Sequence, residues 1–111
     1  MSAIAPLLDE LCDSEVVDTV DLAFVSDSNP RSVTRWRTDG TVPQREAENR
    51  ILELRSVVDL ACRVIQRDAV RLWLRSPNSD LGYEKPLDLI AQGEYKQVIG
   101  LLLALAEGVT T

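Results

Sequence analysis

Residues 44–66 read QREAENRILELRSVVDLACRVIQ. Neither proline nor glycine interrupts them, and their apolar positions recur at helical spacing. Ala47, Ile51, Leu54, Val58, Ala61 and Ile65 alternate steps of four and three residues and form one narrow stripe. Val57, Leu60 and Val64 form a second stripe about a quarter turn or more away. A helix with two apolar sides has to be covered twice. It can bridge the N- and C-terminal halves of one monomer, it can form a homodimer through one of the stripes, with Val57, Leu60 and Val64 as the candidate seam, or both can hold together. A long central helix in a chain of 111 residues with no strand-like alternation predicts an all-α fold.

On the N-terminal side, residues 6–13, PLLDELCD, suggest a short first helix. Residues 15–25, EVVDTVDLAFV, keep the helical period: Val16, Val17, Val20, Ala23 and Phe24 fall on one face, with Asp18 and Asp21 opposite. Ser26, Asp27, Ser28 and Asn29 break the pattern. Asn29 suits an N-cap and Pro30 a first helical position, so a helix should run from there to about Thr38, with Gly40 at its exit. In NPRSVTRW, residues 29–36, Val33 and Trp36 face the core. Arg31, Thr34, Arg35 and Thr38 lie on the far side, flanked by Ser32 and Arg37. A helix, a tight turn and a second helix with a basic, hydroxyl-bearing face make a helix-turn-helix pattern. Arg31, Ser32, Thr34, Arg35 and Arg37 are therefore the candidate DNA contacts, through phosphates or base edges. A solvated face packed over Trp36 has the same pattern.

On the C-terminal side, residues 67–75, RDAVRLWLR, form a short amphipathic helix with Val70 and Trp73 inward. Turn chemistry follows in SPNSDLGYEKP, then a helix at 86–91 that Gly93 stops. In the last helix, EYKQVIGLLLALAE, the residues Tyr95, Val98, Ile99, Leu101, Leu102, Leu103, Leu105 and Ala106 cover an arc of about 200 degrees, against about 100 for a single core contact. Leaving such leucines in water costs roughly 1.5 to 3 kcal/mol each. A partner polypeptide would cover the excess. So would threading the helix through the middle of its own subdomain. Gly108 caps the helix and leaves Val109, Thr110 and Thr111 as a free end.

The formal charge is −6, unevenly distributed. Residues 1–30 hold seven acids and no base, and all ten arginines lie between residues 31 and 75. A ligand feels the local patch within about one Debye length, roughly 8 Å at physiological salt, so a basic middle can face DNA despite the net charge. There is no histidine, no Gly-rich phosphate loop and no paired nucleophile and base, which points away from an enzyme and from any resident cofactor or metal. Cys12 and Cys62 read as small buried hydrophobes. The start of the chain does not resemble a secretory signal, and the apolar run at 98–106 is too short for a membrane span of about 20 residues. A cytoplasmic location is expected.

Two stretches carry a family resemblance. SNPRSVTRWRTDGTVPQ is similar to a divergent Xre-type helix-turn-helix, with Ser26, Asp27 and Ser28 where many such turns place a glycine. LWLRSPNSDLGYEKPLDLIAQGEYKQVIGLL resembles the toxin-binding domain of the MbcA/ParS/Xre antitoxins through Trp73, Pro77, Asn78, Pro86, Asp88, Leu89, Gly93, Glu94 and Tyr95. The short length and the Val-Pro-Gln link at 42–44 are most similar to the mycobacterial MbcA type.

That resemblance implies a helix-turn-helix subdomain at 1–44, a connecting or dimerisation helix at 45–66 and a toxin-binding domain with an inhibitory tail at 67–111. It implies the antitoxin of a type II toxin–antitoxin pair, a homodimer within a larger hetero-oligomer, whose partner is a RES-domain toxin that consumes NAD. NAD then belongs to the toxin. The toxin-binding surface falls on Tyr95, Val98, Leu101, Leu102 and Leu105, and on the tail Glu107, Gly108, Val109, Thr110 and Thr111, laid across the toxin's active-site entrance. Operator DNA is a possible second ligand. A stand-alone dimeric transcriptional regulator is the alternative.

Overall fold

The computed structural model describes residues 4–108, and among them it contains seven α-helices, one 3-10 turn and no strand. The helices are α1 (Ile4–Asp13), α2 (Thr19–Val25), α3 (Pro30–Thr38), α4 (Arg45–Val64), α5 (Arg67–Leu74), α6 (Pro86–Ala91) and α7 (Tyr95–Ala106). The 3-10 turn, Ser79–Leu81, lies between α5 and α6.

The 20 residues of α4 span about 30 Å and organise the rest. Ile51, Leu54, Val57, Val58 and Ala61 are buried along it. Its most extensive packing is on α7, and α2, α5 and α6 cover it elsewhere. Of the two arrangements open from the sequence, the bridge within one chain is present. Val57, expected at a dimer seam, has no accessible surface and belongs to the chain's own core, while Leu60 and Val64 are half-buried at its edge. The packing of α2 on α6 joins the two ends directly, so the buried residues form one continuous cluster from Ile4 to Leu102.

The phase expected for α2 is corrected. Asp18 and Asp21 do not sit on its solvent face; they start the helix. Asp18 Oδ1 accepts from the Asp21 N–H at 3.0 Å, and Asp21 Oδ2 accepts from the Asp18 N–H at 2.8 Å, a reciprocal capping box. That start point turns Leu22, Ala23 and Val25 inward and leaves Val20 and Phe24 64% and 50% exposed.

The turn into α3 needs a left-handed residue, and Asp27 supplies it at φ +55°. Ser26 Oγ donates to the Leu22 carbonyl at 2.6 Å, and the Ser28 N–H donates to the Ala23 carbonyl at 2.9 Å. These bonds close the turn without a glycine.

Candidate functional site

Two surfaces collect the candidate residues. The first is α3. Asn29 Oδ1 accepts from the Ser32 N–H at 2.8 Å, and Pro30 opens the helix. Val33 and Trp36 are buried beneath it. Arg31, Thr34 and Arg35 are exposed and Ser32 is half-buried. Among the described residues no ion pair engages Arg31 or Arg35. Arg37 differs: its Nε donates to Asp9 Oδ1 at 2.8 Å, and that bond raises its pKa. It ties α3 to α1 and is half-buried. Nearby, the Thr41 N–H donates to Asp39 Oδ1 at 3.0 Å, and hydrogen bonds from Thr41 hold that exposed carboxyl below its ordinary value. The free positive charge of the α3 face is therefore Arg31 and Arg35, flanked by Asp27 and Asp39.

Part of the basic middle of the chain is paired with its acidic start. Arg71 Nη2 donates to Asp18 Oδ2 at 2.9 Å and Arg71 Nη1 to the Val16 carbonyl at 3.3 Å. Arg75 pairs with Asp21, and Arg67 Nη2 donates to the Ser14 carbonyl at 3.0 Å. Residues 67, 71 and 75 share one face of α5, so this helix clamps the segment that leads into α2. Arg55 lies 3.2 Å from Glu10 and 3.4 Å from Asp59. Arg50 pairs with Glu53 at 2.8 Å. Arg37, Arg55, Arg71 and Arg75 thus meet acids far away in sequence, while Arg31, Arg35, Arg45 and Arg63 form no ion pair among the described residues.

The second surface is α7. Val98 and Leu102, four residues apart, have no accessible surface and lock the helix to the core. Expected as contacts for a partner, they are instead internal. Tyr95, Ile99 and Leu101 are half-buried. Leu105, seven residues beyond Val98 and so on the same side, lies past the packed part of the helix and is 38% exposed. Leu103, within the apolar arc but outside the expected contact set, is 48% exposed, the most exposed large apolar residue of α7. Ala106, Glu107 and Gly108 are exposed. The expected contacts Val109, Thr110 and Thr111 lie outside the described residues. The exposed end of α7 is thus Leu103, Leu105 and Ala106, leading into the tail.

Elsewhere, an open groove of about 920 Å³ between α1 and α4 is lined by acids (Asp9, Glu10, Asp13, Asp59), bases (Arg55, Arg63, Arg67) and the side chains of Ser14 and Cys62. Cys12 and Cys62 are free and half-buried, and burial raises the Cys12 thiol pKa. No group of three or more acidic, cysteine or histidine side chains is placed to hold a metal among the described residues. No helix among them is long and apolar enough to cross a membrane.

Residues 65–108 match the family described as the antitoxin Xre/MbcA/ParS C-terminal toxin-binding domain. The mycobacterial cidal antitoxin MbcA of Mycobacterium tuberculosis is 45% identical over 85 residues, which cover 77% of this chain and 75% of that protein. A probable mycobacterial cidal antitoxin from the same organism is 33% identical over 93 residues, covering 77% and 79%. The crystal structure of the M. tuberculosis MbcT–MbcA toxin–antitoxin complex contains a chain that superposes with a TM-score of 0.87 at 35% identity, covering all of both chains. Identity at this level over three-quarters of its length establishes that the chain belongs to the Xre/MbcA/ParS antitoxin family.

Proposed function

We propose that this chain neutralises a cognate RES-domain, NAD-degrading toxin by binding it with the exposed end of α7 and the tail that follows, acting as a binding protein and not as an enzyme. The observation that carries this reading is the unpartnered end of α7. Leu103 and Leu105 leave 48% and 38% of their surface in water, within the segment that matches the toxin-binding domain, and a partner would cover what the monomer does not. The inner stripe, Val98 and Leu102, fixes the helix on the core, so the exposed leucines are presented on a rigid support.

Co-expression tests the proposal. The full chain should restore growth and NAD content to cells expressing the toxin encoded beside its own gene. A chain lacking residues 107–111 should keep its helical content and lose that protection. Equal protection by the truncated chain would remove the tail from the mechanism, and no protection by the full chain would reject the function.

A second role, repression of the chain's own operon as a homodimer, is favoured by the unpaired Arg31 and Arg35 on α3. Two free arginines per copy make a small electrostatic footprint, so operator binding requires at least two copies side by side. Replacing both by alanine should weaken binding and flatten its salt dependence by about two phosphate equivalents per copy. Absence of binding to the upstream DNA at low salt would reject this role.

A further inference from the structure

Residues 76–86 fold into a pinned turn. Asn78 holds it together: its side-chain oxygen accepts from the Asp80 N–H at 2.9 Å, and its carbonyl accepts from the N–H groups of Leu81 at 2.9 Å and Tyr83 at 2.8 Å. The Asn78 N–H donates to the Glu84 carbonyl at 3.1 Å. Leu81 is buried, and the Ser79–Leu81 turn packs on α7. Two consecutive residues, Gly82 and Tyr83, then take left-handed backbone conformations, at φ +65° and +67°. Glycine does so freely. Tyrosine does not, because its Cβ crowds the following carbonyl oxygen. The strain brings the fold no packing in return, since Tyr83 is 73% exposed. Glycine or asparagine would serve the turn better.

We propose that Tyr83 is an anchor of the toxin-binding surface, held on a strained but rigid turn so that its ring is presented to the partner toxin. This rests on the antitoxin reading above. Three observations carry it. The turn lies inside the segment 65–108 that matches the toxin-binding domain. It is docked on α7, the helix that presents Leu103 and Leu105, so the ring and the leucines are mounted on one frame. Its exposed neighbours Asp80, Glu84 and Lys85 supply a polar surround to an aromatic centre, the composition of an interface hot spot. A tyrosine on a pinned backbone has few rotations left to lose on binding.

The test uses the full chain with Tyr83→Gly, Tyr83→Asn and Tyr83→Phe, and the purified toxin encoded by the adjacent gene. Melting temperature and calorimetric affinity are measured for each. The Gly and Asn variants accept the left-handed backbone, so they should melt no lower than the parent while binding the toxin at least about tenfold more weakly. The Phe variant keeps the ring and should bind within about threefold of the parent. Parental affinity in the Gly and Asn variants would overturn the assignment. So would a lower melting temperature in both, because the ring would then serve the fold. Failure of the unmodified chain to bind the toxin would reject the antitoxin reading itself, and this assignment with it.

Discussion

The Asp21 carboxylate at the start of α2 is paired with the Arg75 guanidinium at the end of α5, 54 residues away in sequence. Only a tenth of the Asp21 side chain is exposed, and Arg71 stands 3.8 Å from the same oxygen. Burial raises the Asp21 pKa, and Arg75 opposes that rise. The pair joins the N-terminal helices to the C-terminal half of the chain.

Removing Arg75 would leave a mostly buried carboxylate without its nearest cation. Arg75→Ala should therefore destabilise the chain by about 2 to 4 kcal/mol in denaturant unfolding. Asp21→Asn placed on top of it should recover part of that loss, since an uncharged amide costs less to bury. A double variant no more stable than Arg75→Ala would contradict the burial cost assigned to the unpaired carboxylate, and losses that simply add up across Arg75→Ala, Asp21→Asn and the double variant would mean that the pair is not coupled.

Asp18 and Asp21 respond to acid in opposite senses. Burial would raise Asp18, but the Asp21 backbone N–H and the Arg71 guanidinium outweigh it and hold Asp18 at about 2. A carboxyl depressed below its unfolded value stabilises the fold above that value, and the contribution disappears as pH falls through the folded one. Asp21 is raised, so its contribution runs the other way, present at low pH and lost as pH rises. Asp18→Asn keeps a cap acceptor and removes the charge. Between about pH 5 and about pH 2, the parent should lose more melting temperature than this variant. A steeper loss in the variant would contradict the assignment.

Gly93 ends α6 at φ +83°, and a Cβ there would lie 2.9 Å from Arg50 Nη2. Arg50 is itself held by Glu53 at 2.8 Å. Gly93→Ala meets a left-handed backbone and must push the Arg50 guanidinium aside from its pair with Glu53, and should cost about 1 to 2 kcal/mol of stability. An unchanged melting temperature would mean that the α6–α7 junction relaxes freely.

Asn29 starts α3 through one side-chain bond to the Ser32 N–H. Asn29→Ala should cost about 1 kcal/mol. Arg31→Ala and Arg35→Ala, which make no ion pair among the described residues, should each change stability by less than about 0.5 kcal/mol. A large loss from either would give these arginines a structural role in place of a free one.

Local signals in the sequence carried much of this architecture. Asn29, Pro30 and Gly40 mark both ends of α3, and Val33 and Trp36 mark its inner face, because caps and helical period act within a few residues. What failed was long-range. The buried phase of α2 turned on whether Asp18 was a cap or a helix-interior residue, and the apolar count did not distinguish the two. The arginines of α5 looked free because their acceptors lie more than fifty residues away. In α7 the width of the apolar arc correctly signalled excess, but not its division. Val98 and Leu102 went to the core, covered by α4, α6 and the 3-10 turn, and Leu103, about 100° further round the helix, to solvent. Tyr83 carried no signal, since only coordinates reveal its left-handed backbone.

The most direct test is calorimetric titration of the adjacent-gene toxin with the parent chain and with a Leu103→Gln, Leu105→Gln double variant. Both leucines lie outside the core, so the double variant should melt within a few degrees of the parent and bind the toxin at least about a hundredfold more weakly. Parental affinity in a folded double variant would contradict the claim that the exposed end of α7 is the surface that grips the toxin.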